Sequence, residues 1–419
     1  MKKALLVLLS FLLAGHAGAA ILYIPMGAAD QADHLKAYGI AYLALQAGVK
    51  VDWLLNYDGG AFALPDNEAI QRTCQLRNVS FEIMADAKYS GILQQIADPD
   101  FNGDVIKLEK APKIAVYTPP GKRPWDDAVT MALAYAEIPY DKVYDDELLD
   151  NKLPEYDWLH LHHEDFTGQF GKFWGAYRNA SWYIEDEKMQ EAMAEKHGFK
   201  KVSELKLAVA KKIRDFVAGG GYLFAMCSAT DSYDIALAAD GVDICSEPFD
   251  GDPMDPQAQQ KLNFDNCFAF KNFTLVTNPY EYEYSDIDNT LFRHVAPDVD
   301  YFTLFTFSAK SDPVPTMLCQ NHTTTIKGFM GQTTAFRESV LKSSDLIMGE
   351  NKAAGEARYI HGDYGKGTWT FYGGHDPEDY QHMVGDAPTD LSLHPNSPGY
   401  RLILNNVLFP AAKRKPRKT

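Results

Sequence analysis

Apolar and polar residues are distributed along the 419-residue chain in a way that predicts strands separated by helices. Apolar runs at 21–26 and 49–55 surround a segment at 33–47 whose apolar residues recur at helical spacing. A strand, a helix and a second strand in this order predict a β-α-β unit with parallel strands and a right-handed crossover. The chain therefore opens with an α/β unit, which we extend to residues 21–112.

The same pattern starts again after a polar segment at 98–112, where we place a domain boundary. Strands at 113–118 and 142–144 surround a helix at about 125–136. These elements begin a larger domain, which we assign to residues 113–412.

Alternation of strands and helices continues through the second domain. A strand at 157–162 precedes a helix at about 202–217, and an apolar strand at 221–226 comes next. This order predicts a doubly wound, mostly parallel α/β sheet of the flavodoxin-like type. Looser patterning at about 240–350 indicates an inserted cap. The last predicted elements are a hairpin at 357–360 and 367–372 and a helix at about 400–408.

Residues 1–20 carry two lysines, then an apolar stretch, and then small residues that end in Ala19 and Ala20. This order is typical of a secretory signal peptide, so we expect cleavage near Ala19 or Ala20 and an exported protein, periplasmic or secreted. No later apolar run reaches the ~18 residues that a membrane-spanning helix needs, so we predict no such helix.

The charge of the chain limits its partners. The formal net charge is −17, and removal of the two leader lysines makes it −19, although the tail at 413–419 is basic. Phosphate contacts need a positive surface, so nucleic acid is not expected as a partner. The sequence also contains no phosphate loop and no dinucleotide fingerprint. We expect a small-molecule or carbohydrate-related ligand and no cofactor, and the oligomeric state stays open.

Five cysteines are too few for a disulfide scaffold, and their odd number leaves one thiol over in an exported protein. Cys245 and Cys267 fall in one loop-rich region and are candidates for a disulfide bond. Cys227 differs because a glycine hinge at 219–221 and a short apolar strand lead directly to it. A strand that turns here into a helix forms a nucleophile elbow, and the amides near Ser228 favour a thiolate. Cys227 is therefore the first candidate for a catalytic nucleophile.

A thiol nucleophile needs a base, and the base needs an acid that orients it. His375 directly follows a predicted strand, so it should lie at the same sheet edge as Cys227. Glu378 or Asp376 would then orient the imidazole ring. These residues predict a Cys-His-Glu/Asp triad in which Cys227 attacks and His375 transfers the proton.

The order of these segments resembles that of a class I glutamine amidotransferase-like domain. The segments that carry the resemblance, over about residues 113–412, are the strand Lys113–Tyr117, the elbow Ala225–Ala229 and the acid-base segment Phe371–Glu378. The resemblance implies a flavodoxin-like fold and a cysteine that attacks an amide or a related carbonyl. The family usually has glycine on both sides of this cysteine, whereas Met226 precedes it here and Ala229 stands where the second glycine is expected. The resemblance therefore does not fix glutamine as the substrate.

Over its whole length the chain also resembles exported bacterial proteins that carry the label asparagine synthetase B. The residues do not support that chemistry. Lys2 follows Met1 where a true asparagine synthetase of this type has its cysteine, and no Ser-Gly-Gly-x-Asp-Ser loop for ATP occurs. This resemblance therefore implies a group of similar sequences rather than a synthetase.

A second polar cluster lies at the end of the strand at 157–162. It comprises His160, His162, His163 and Glu164. His160 and His162 share one face of an extended strand, a spacing that suits either the lining of a pocket or two ligands of one metal ion. We assign these residues, together with Ser228, to the lining of the active-site pocket, and we assign no metal.

The segment 98–109 matches the calcium-loop pattern D-x-[DN]-x-[DN]-G-x5-E letter for letter. Pro112 and the strand that starts at Lys113 leave no room for the helix that should follow such a loop. A polar linker is therefore the preferred interpretation, and a calcium site is the alternative.

Two functions from different classes are compatible with the sequence. The first is an exported thiol hydrolase that acts on an amide or a related carbonyl. The second is a binding or scaffold protein with the same fold and without turnover, whose aromatic pocket takes a carbohydrate-related ligand. The aromatic residues predicted for that pocket are Trp158, Phe166, Trp174 and Tyr177.

Overall fold

The computed structural model of the protein describes residues 20–120, 126–292, 295–296, 298–381 and 383–413. The predicted signal peptide lies outside these residues except for Ala20, and so does the basic tail beyond Lys413. Within the described ranges, no helix has both the length and the apolar character that a membrane crossing requires.

The described residues form two β-sheets with helices packed between and around them. The strands are β1 (Ala20–Ile24), β2 (Val51–Leu55), β3 (Phe62–Pro65), β4 (Glu82–Ala85), β5 (Asp104–Leu108), β6 (Ile114–Tyr117), β7 (Asp141–Val143), β8 (Trp158–Leu161), β9 (Tyr222–Met226), β10 (Tyr301–Leu304), β11 (Thr325–Lys327), β12 (Phe336–Arg337), β13 (Leu346–Asn351), β14 (Glu356–Tyr364) and β15 (Gly367–Tyr372). The α-helices are α1 (His34–Gln46), α2 (Glu68–Leu76), α3 (Asp86–Ala97), α4 (Ala128–Tyr135), α5 (Asp145–Leu149), α6 (Trp174–Tyr177), α7 (Ser181–Lys196), α8 (Val202–Gly219), α9 (Ala229–Ala238), α10 (Glu247–Asp250), α11 (Ala258–Lys261), α12 (Pro313–Leu318) and α13 (Pro398–Leu408). Short 3-10 helices cover Leu153–Glu155, Phe170–Lys172, Phe264–Asn266, Asn289–Phe292, Glu338–Val340, Leu391–Leu393 and Phe409–Ala411.

The first sheet has the strand order β4-β1-β3-β2-β5, and its neighbouring strands are all antiparallel. β1 and β2 run in the same direction, as the β-α-β pattern predicts. They are not neighbours, however, because β3 lies between them and pairs antiparallel with both. The two strands are therefore parallel without being hydrogen-bonded neighbours.

The second sheet is mixed. Its order is β11-β10-β13-β14-β15-β9-β8-β6-β7, and β12 pairs with β14. The strands from β7 to β15 along this order are parallel, whereas the strands beyond β15 are antiparallel. The α/β class is thus confirmed, but the sheet is not mostly parallel. The predicted hairpin is present as β14 and β15.

The region predicted as an inserted cap contributes β10, β11, β12 and β13 to the second sheet. Phe302 and Leu304 of β10 are buried in the core, and β10 pairs with β11 and β13 on its two sides. Residues 301–351 therefore extend the antiparallel part of the sheet, and the prediction of a separate cap is wrong for them.

Both faces of the parallel strands are covered by apolar cores. In β6, Ile114 and Val116 belong to a core that includes residues of α1, α4 and α13, whereas Ala115 and Tyr117 belong to a second core with residues of α5, α8 and α9. Because these strands are buried on both faces, a polar site is expected at their carboxyl ends.

Helix α8 shows why the local sequence pattern was informative. Leu205, Val209 and Ile213 recur at helical spacing and are fully buried. The helix ends at Gly219 and is capped by Gly220, whose φ of 122° only glycine adopts readily, and β9 begins at Tyr222. The predicted helix, hinge and strand are confirmed.

Helix α8 also carries a buried ion pair. The ammonium group of Lys206 lies 2.9 Å from Oδ2 of Asp145 and donates hydrogen bonds to the hydroxyls of Tyr117 and Tyr144, each at 3.0 Å. Lys206 is 2% exposed and Asp145 is 0% exposed, so neither charge has water as an alternative partner. The pair joins α5 to α8 in the second core.

The last described helix joins the two sheets. The Arg401 guanidinium on α13 donates to the carbonyls of Met26 at 3.3 Å and Gly59 at 2.7 Å, both in the first unit. After α13 the chain pairs with β5, since the Glu109 amide donates to the Ala411 carbonyl at 2.9 Å. The first core therefore combines residues from the two ends of the described chain.

The segment 98–109 does not form a calcium loop. β5 occupies 104–108, where the end of such a loop and the start of its second helix should be. The Asn102 side chain accepts a hydrogen bond from the Ala309 amide at 2.9 Å, and the Asp98 carbonyl accepts one from Lys310. The segment therefore connects α3 to β5.

All five cysteines lie among the described residues, and none of them is in a disulfide bond. The Cys245 thiol donates to the Thr167 carbonyl, and the Cys267 thiol donates to the Asp234 carbonyl, each at 3.3 Å. The candidate Cys245–Cys267 bond is therefore not formed.

Candidate functional site

Cys227 occupies the turn between β9 and α9, and its φ of 51° lies in the left-handed region. This region is uncommon for residues other than glycine and marks a sharp turn. The Cys227 amide donates to the Gly374 carbonyl at 3.1 Å, and its carbonyl accepts from the Thr230 amide at 3.1 Å. The strand-turn-helix geometry expected of the elbow is therefore present.

The Cys227 side chain is 3% exposed and faces backbone amides. Burial raises the pKa of the thiol to about 11, although hydrogen bonds from the backbone of Gln332, Ser228 and Thr333 lower it. The group is therefore a neutral thiol at neutral pH. A thiolate formed during a reaction would meet three amide donors.

His375 lies at the same sheet edge as Cys227. It follows β15, which runs parallel to β9 in a register that places Tyr372 beside Met226. Nδ1 of His375 is 3.0 Å from Nε2 of His162, and Nε2 of His375 is 3.6 Å from Oδ1 of Asp126. His375 therefore lies at the predicted sheet edge, and its ring contacts a second histidine and a carboxylate.

The carboxylates that the sequence offers as orienting acids have other partners. Oε2 of Glu378 is 3.1 Å from Nδ1 of His394 and accepts a hydrogen bond from the Tyr380 hydroxyl at 2.8 Å. Oδ1 of Asp376 accepts from the Tyr400 hydroxyl at 2.8 Å. Both carboxylates therefore bind groups in and around the loop after β15, and they do not orient the His375 ring.

Asp126 and Asp127 are residues that the sequence reasoning missed. They follow β6 and lie at the start of α4, where Oδ1 of Asp127 accepts a hydrogen bond from the Thr130 amide at 2.9 Å. Because β6 and β8 are parallel neighbours, the segments after both strands meet at one edge of the sheet. An acidic pair directly after a parallel strand was the available signal.

Asp127 lies between two buried histidines. Its Oδ2 is 3.2 Å from Nε2 of His160, and its Oδ1 is 3.3 Å from Nδ1 of His162. Burial lowers the pKa of His160. Burial also acts to lower the pKa of His162, but the charge and hydrogen bond of Asp127, together with the charges of Glu164 and Asp126, raise it overall. Burial opposes ionisation of Asp127, but the two imidazoles hold its pKa well below the usual range. Glu164, also buried, accepts a hydrogen bond from the His162 amide at 2.9 Å.

The residues predicted to line the pocket differ in exposure. His160 packs against both Trp158 and Phe224, with ring centroids at 6.0 and 5.8 Å, and it is fully buried. Ser228 is fully buried as well. Both side chains lie in the protein interior, and their assignment to the pocket lining stays a prediction. His163 is only half-buried, and its ring centroid is 5.3 Å from that of His162.

An aromatic patch lies beside the elbow. We define it as Phe173, Trp174, Tyr177, Trp182, Tyr280 and Tyr282. Tyr280 is 67% exposed and packs on Trp174 at a centroid distance of 5.2 Å. Partial burial and the neighbouring Cys227 both raise the pKa of Tyr282. The Tyr282 hydroxyl is therefore close enough to the Cys227 thiol for the two groups to interact electrostatically. Trp158 and Phe166, which the sequence analysis also assigned to a ligand surface, are buried in the core.

Two cavities lie outside this cluster. One of about 530 Å³ is lined by acidic residues that include Glu378 and Asp379, with Lys327 and Tyr380. The other, of about 370 Å³, lies where the two sheets meet. Neither lining includes Cys227 or the clustered histidines.

Comparisons with known proteins give the chain no family. No family model matches the sequence, and no curated protein matches it significantly. Among solved structures it is similar to the cytoplasmic protein STM3548 from Salmonella typhimurium, with 11% identity, a TM-score of 0.35, and coverage of 72% of this chain and 100% of that one. It is also similar to the cytoplasmic protein STM1381 from Salmonella typhimurium LT2, with 12% identity, a TM-score of 0.34 and the same coverage. Likeness at this level carries no conclusion about function.

Proposed function

We propose that the chain is an exported hydrolase of the class I amidotransferase-like type, in which the Cys227 thiol attacks an amide or a related carbonyl. The observation that carries this proposal is the elbow. Cys227 has a φ of 51° between β9 and α9, and its amide is bonded to the residue before His375. A residue held in this strained conformation at a strand end is typical of a nucleophile.

The arrangement of the parallel strands supports the amidotransferase-like part of the proposal. Counted from β6 along the chain, the five parallel strands have the spatial order 2-1-3-4-5, which is the order of flavodoxin-like sheets. In such sheets ligands bind beyond the carboxyl ends of strands 1 and 3, at the topological switch point. Asp126 and Asp127 follow the first of these strands, and His162 follows the third.

In the proposed mechanism His375 is the base. Nε2 of its ring faces Asp126, so we assign proton transfer to Nδ1, which in this structure contacts Nε2 of His162 at 3.0 Å. Because the pKa of Cys227 is about 11, the resting group is a thiol and must lose its proton as it attacks. Asp126 thus takes the orienting role that the sequence assigns to Glu378 or Asp376.

The step balances without a cofactor. The sulfur of Cys227 forms a bond to the carbonyl carbon while its proton moves to His375, and the carbonyl oxygen becomes an oxyanion. The amides of Gln332, Ser228 and Thr333 surround the sulfur and are the available donors. Breakdown expels the leaving group, which takes the proton from the imidazolium ion, and water then hydrolyses the thioester.

A hydrolase screen over amides and esters tests the proposal. We expect Cys227→Ser to abolish hydrolysis, and His375→Gln to lower kcat by about 10²–10⁴-fold, the usual contribution of a general base. Asp126→Asn should lower kcat, whereas Glu378→Gln should keep most of the activity because that carboxylate contacts His394 and Tyr380. Full activity in the Cys227→Ser protein would exclude the thiol.

The export part of the proposal rests on the pattern of residues 1–20 alone. Cell fractionation, with the mass of the mature amino terminus, tests it. Cleavage near Ala19 or Ala20 is the expected result. An intact amino terminus in the cytoplasmic fraction would exclude export.

The aromatic patch favours a second candidate function, the binding of a carbohydrate-related ligand without turnover. Exposed aromatic rings beside a polar site are typical of surfaces on which sugar rings stack. If Trp174→Ala abolishes binding to an oligosaccharide panel and no member of the panel is ever hydrolysed, the binding function replaces the hydrolase. If a bound oligosaccharide derivative is also cleaved, the patch belongs to the substrate site.

A further inference from the structure

Ring nitrogens of three histidines lie close together at the carboxyl edge of the parallel strands. One ligand nitrogen from each of His162, His163 and His375 lies within 4.8 Å of the other two. Nε2 of His162 and Nδ1 of His375 are 3.0 Å apart. Two imidazole ligands of a tetrahedral zinc ion, each about 2.0–2.1 Å from the metal, lie about 3.3 Å apart, so the observed spacing needs little change.

The opposite nitrogens of two of these rings face carboxylates. Nδ1 of His162 is 3.3 Å from Asp127, and Nε2 of His375 is 3.6 Å from Asp126. Metal-binding histidines almost always use their second nitrogen in this way, because the carboxylate fixes the tautomer and makes the ligand nitrogen more basic. Asp127 is itself held by the Thr130 amide at 2.9 Å.

The alternative group of Asp127, His160 and His162 is less suited to a metal ion. Each carboxylate oxygen of Asp127 already contacts one imidazole ring, that of His160 or His162. Its Oδ1 also accepts the hydrogen bond that caps α4. Nδ1 of His160 is 3.2 Å from the Phe224 carbonyl, deep in the core. Asp127 and His160 therefore fix the position of the His162 ring rather than bind the ion themselves.

The donor atoms indicate which metal. Three imidazole nitrogens suit zinc and related transition metals, whereas calcium and magnesium prefer oxygen. His163 is half-buried and is the most exposed of the three histidines. We propose that His162, His163 and His375 bind one Zn²⁺ ion, with Asp127 and Asp126 holding two of the rings from behind and a fourth coordination position left open.

The effect of this site on activity rests on the proposed function. Zinc bound to Nδ1 of His375 occupies the lone pair that would accept the proton from Cys227. Metal binding and thiol attack therefore exclude each other, and zinc inhibits the hydrolase.

Metal binding is measured on the full-length protein after chelator treatment, with Zn²⁺ for stoichiometry and Co²⁺ for its visible spectrum. We expect one ion per chain and the intense bands of a four- or five-coordinate cobalt site. Asp127→Asn should weaken binding by about 10–100-fold, the usual cost of losing such a carboxylate partner. His163→Ala removes a ligand and should weaken it further, and its half-buried position makes this variant the safest one to fold.

Two control variants complete the experiment. His197→Ala lies away from the cluster, on a contact with Asp146, and should bind zinc like the wild type. Cys227→Ala should also keep the ion. Less than about one tenth of an ion per chain, or unchanged binding by folded His163→Ala protein, would overturn the site.

The metal measurement does not depend on hydrolysis, so the two proposals fail separately. Zinc binding without any hydrolysis would support the metal site and contradict the proposed hydrolase. Hydrolysis that requires zinc would confirm the site and overturn both the inhibition and the thiol mechanism. Hydrolysis by a protein that binds no zinc would overturn the site and the inhibition and would leave the thiol hydrolase.

Discussion

Nε2 of His162 and Nδ1 of His375 lie 3.0 Å apart, although the two residues are separated by most of the second domain. The contact exists because β8, β9 and β15 are parallel neighbours and end at one edge. Small displacements of the backbone at that edge should therefore change the chemistry of the site.

Gly331→Ala tests this dependence on backbone position. A Cβ at residue 331 would lie 2.7 Å from the His375 amide nitrogen and 2.8 Å from the Gly374 carbonyl carbon, so the backbone must move. We expect a loss of about 1–3 kcal/mol in the free energy of unfolding, as for other overpacked sites, together with weaker zinc binding. Chemical denaturation and metal titration measure the two effects.

Gly91→Ala is the matched control for Gly331→Ala. Gly91 is in the middle of α3, and a Cβ there would have no heavy atom within 4 Å apart from its chain neighbours and the backbone of its own helix. Alanine should raise the free energy of unfolding by about 0.5–1 kcal/mol because it is the better helix former. If both substitutions change the free energy of unfolding equally, the backbone at Gly374 and His375 accommodates the Cβ of residue 331 without a loss of stability.

The elevated pKa of Cys227 makes a prediction about thiol reactivity. Because burial raises this pKa to about 11, alkylation by iodoacetamide should be slow at neutral pH and should accelerate about tenfold per pH unit. Peptide mapping by mass spectrometry separates Cys227 from the other cysteines, and the Cys227→Ser protein gives the background. Labelling at pH 7 at the rate of an exposed thiol would contradict the prediction.

The Lys206–Asp145 pair predicts a large effect on stability. Lys206→Ala leaves the Asp145 carboxylate buried without its cation, so the free energy of unfolding should fall by about 3–5 kcal/mol. Lys88→Ala breaks an exposed pair with Glu82 and should cost less than about 1 kcal/mol. Urea denaturation of the two variants compares them, and similar losses would mean that burial of the first pair does not matter.

Asp231 predicts a pH dependence of stability. Burial raises its pKa to about 7, and Thr333 donates a hydrogen bond to it at 2.9 Å. Between about pH 4 and pH 7 the unfolded chain has lost this proton and the folded protein keeps it, so the contribution of Asp231 to stability falls as the pH rises. Asp231→Asn should therefore flatten the decline in unfolding free energy across that interval.

An exposed acid provides the comparison for Asp231→Asn. Asp100 lies on the surface, and Asp100→Asn should leave the pH profile close to that of the wild type. Denaturation at pH 5 and at pH 7.5 is sufficient to compare the three proteins. The assignment to Asp231 fails if both substitutions change the slope equally.

The local sequence pattern predicted the elements with strong periodicity. Helix α8, the glycine hinge, β9 and the β14–β15 hairpin agree with their predicted positions because each has a long or regular apolar pattern. β3 was missed because it has four residues and ends at Pro65, which is too short for an alternation to be visible. Its insertion between β1 and β2 depends on tertiary pairing that no local pattern records.

The candidate site was also only partly predictable from the sequence. The positions of Cys227 and His375 followed from strand ends, which the sequence does reveal. The partners of the His375 ring did not, because the nearby carboxylates Glu378 and Asp376 have their own partners at Tyr380, His394 and Tyr400. Asp126 and Asp127 look like the acidic start of a helix, which Asp127 also is. Only the parallel pairing of β6 with β8 gives this acidic pair a second role.

The contacts of α13 determine the order in which the chain can fold. Arg401 and its helix complete the core of a sheet whose strands come first in the sequence. During synthesis the first sheet therefore lacks part of its interior until α13 has left the ribosome. Products that stop before α13 should therefore be removed by proteases rather than persist as folded fragments.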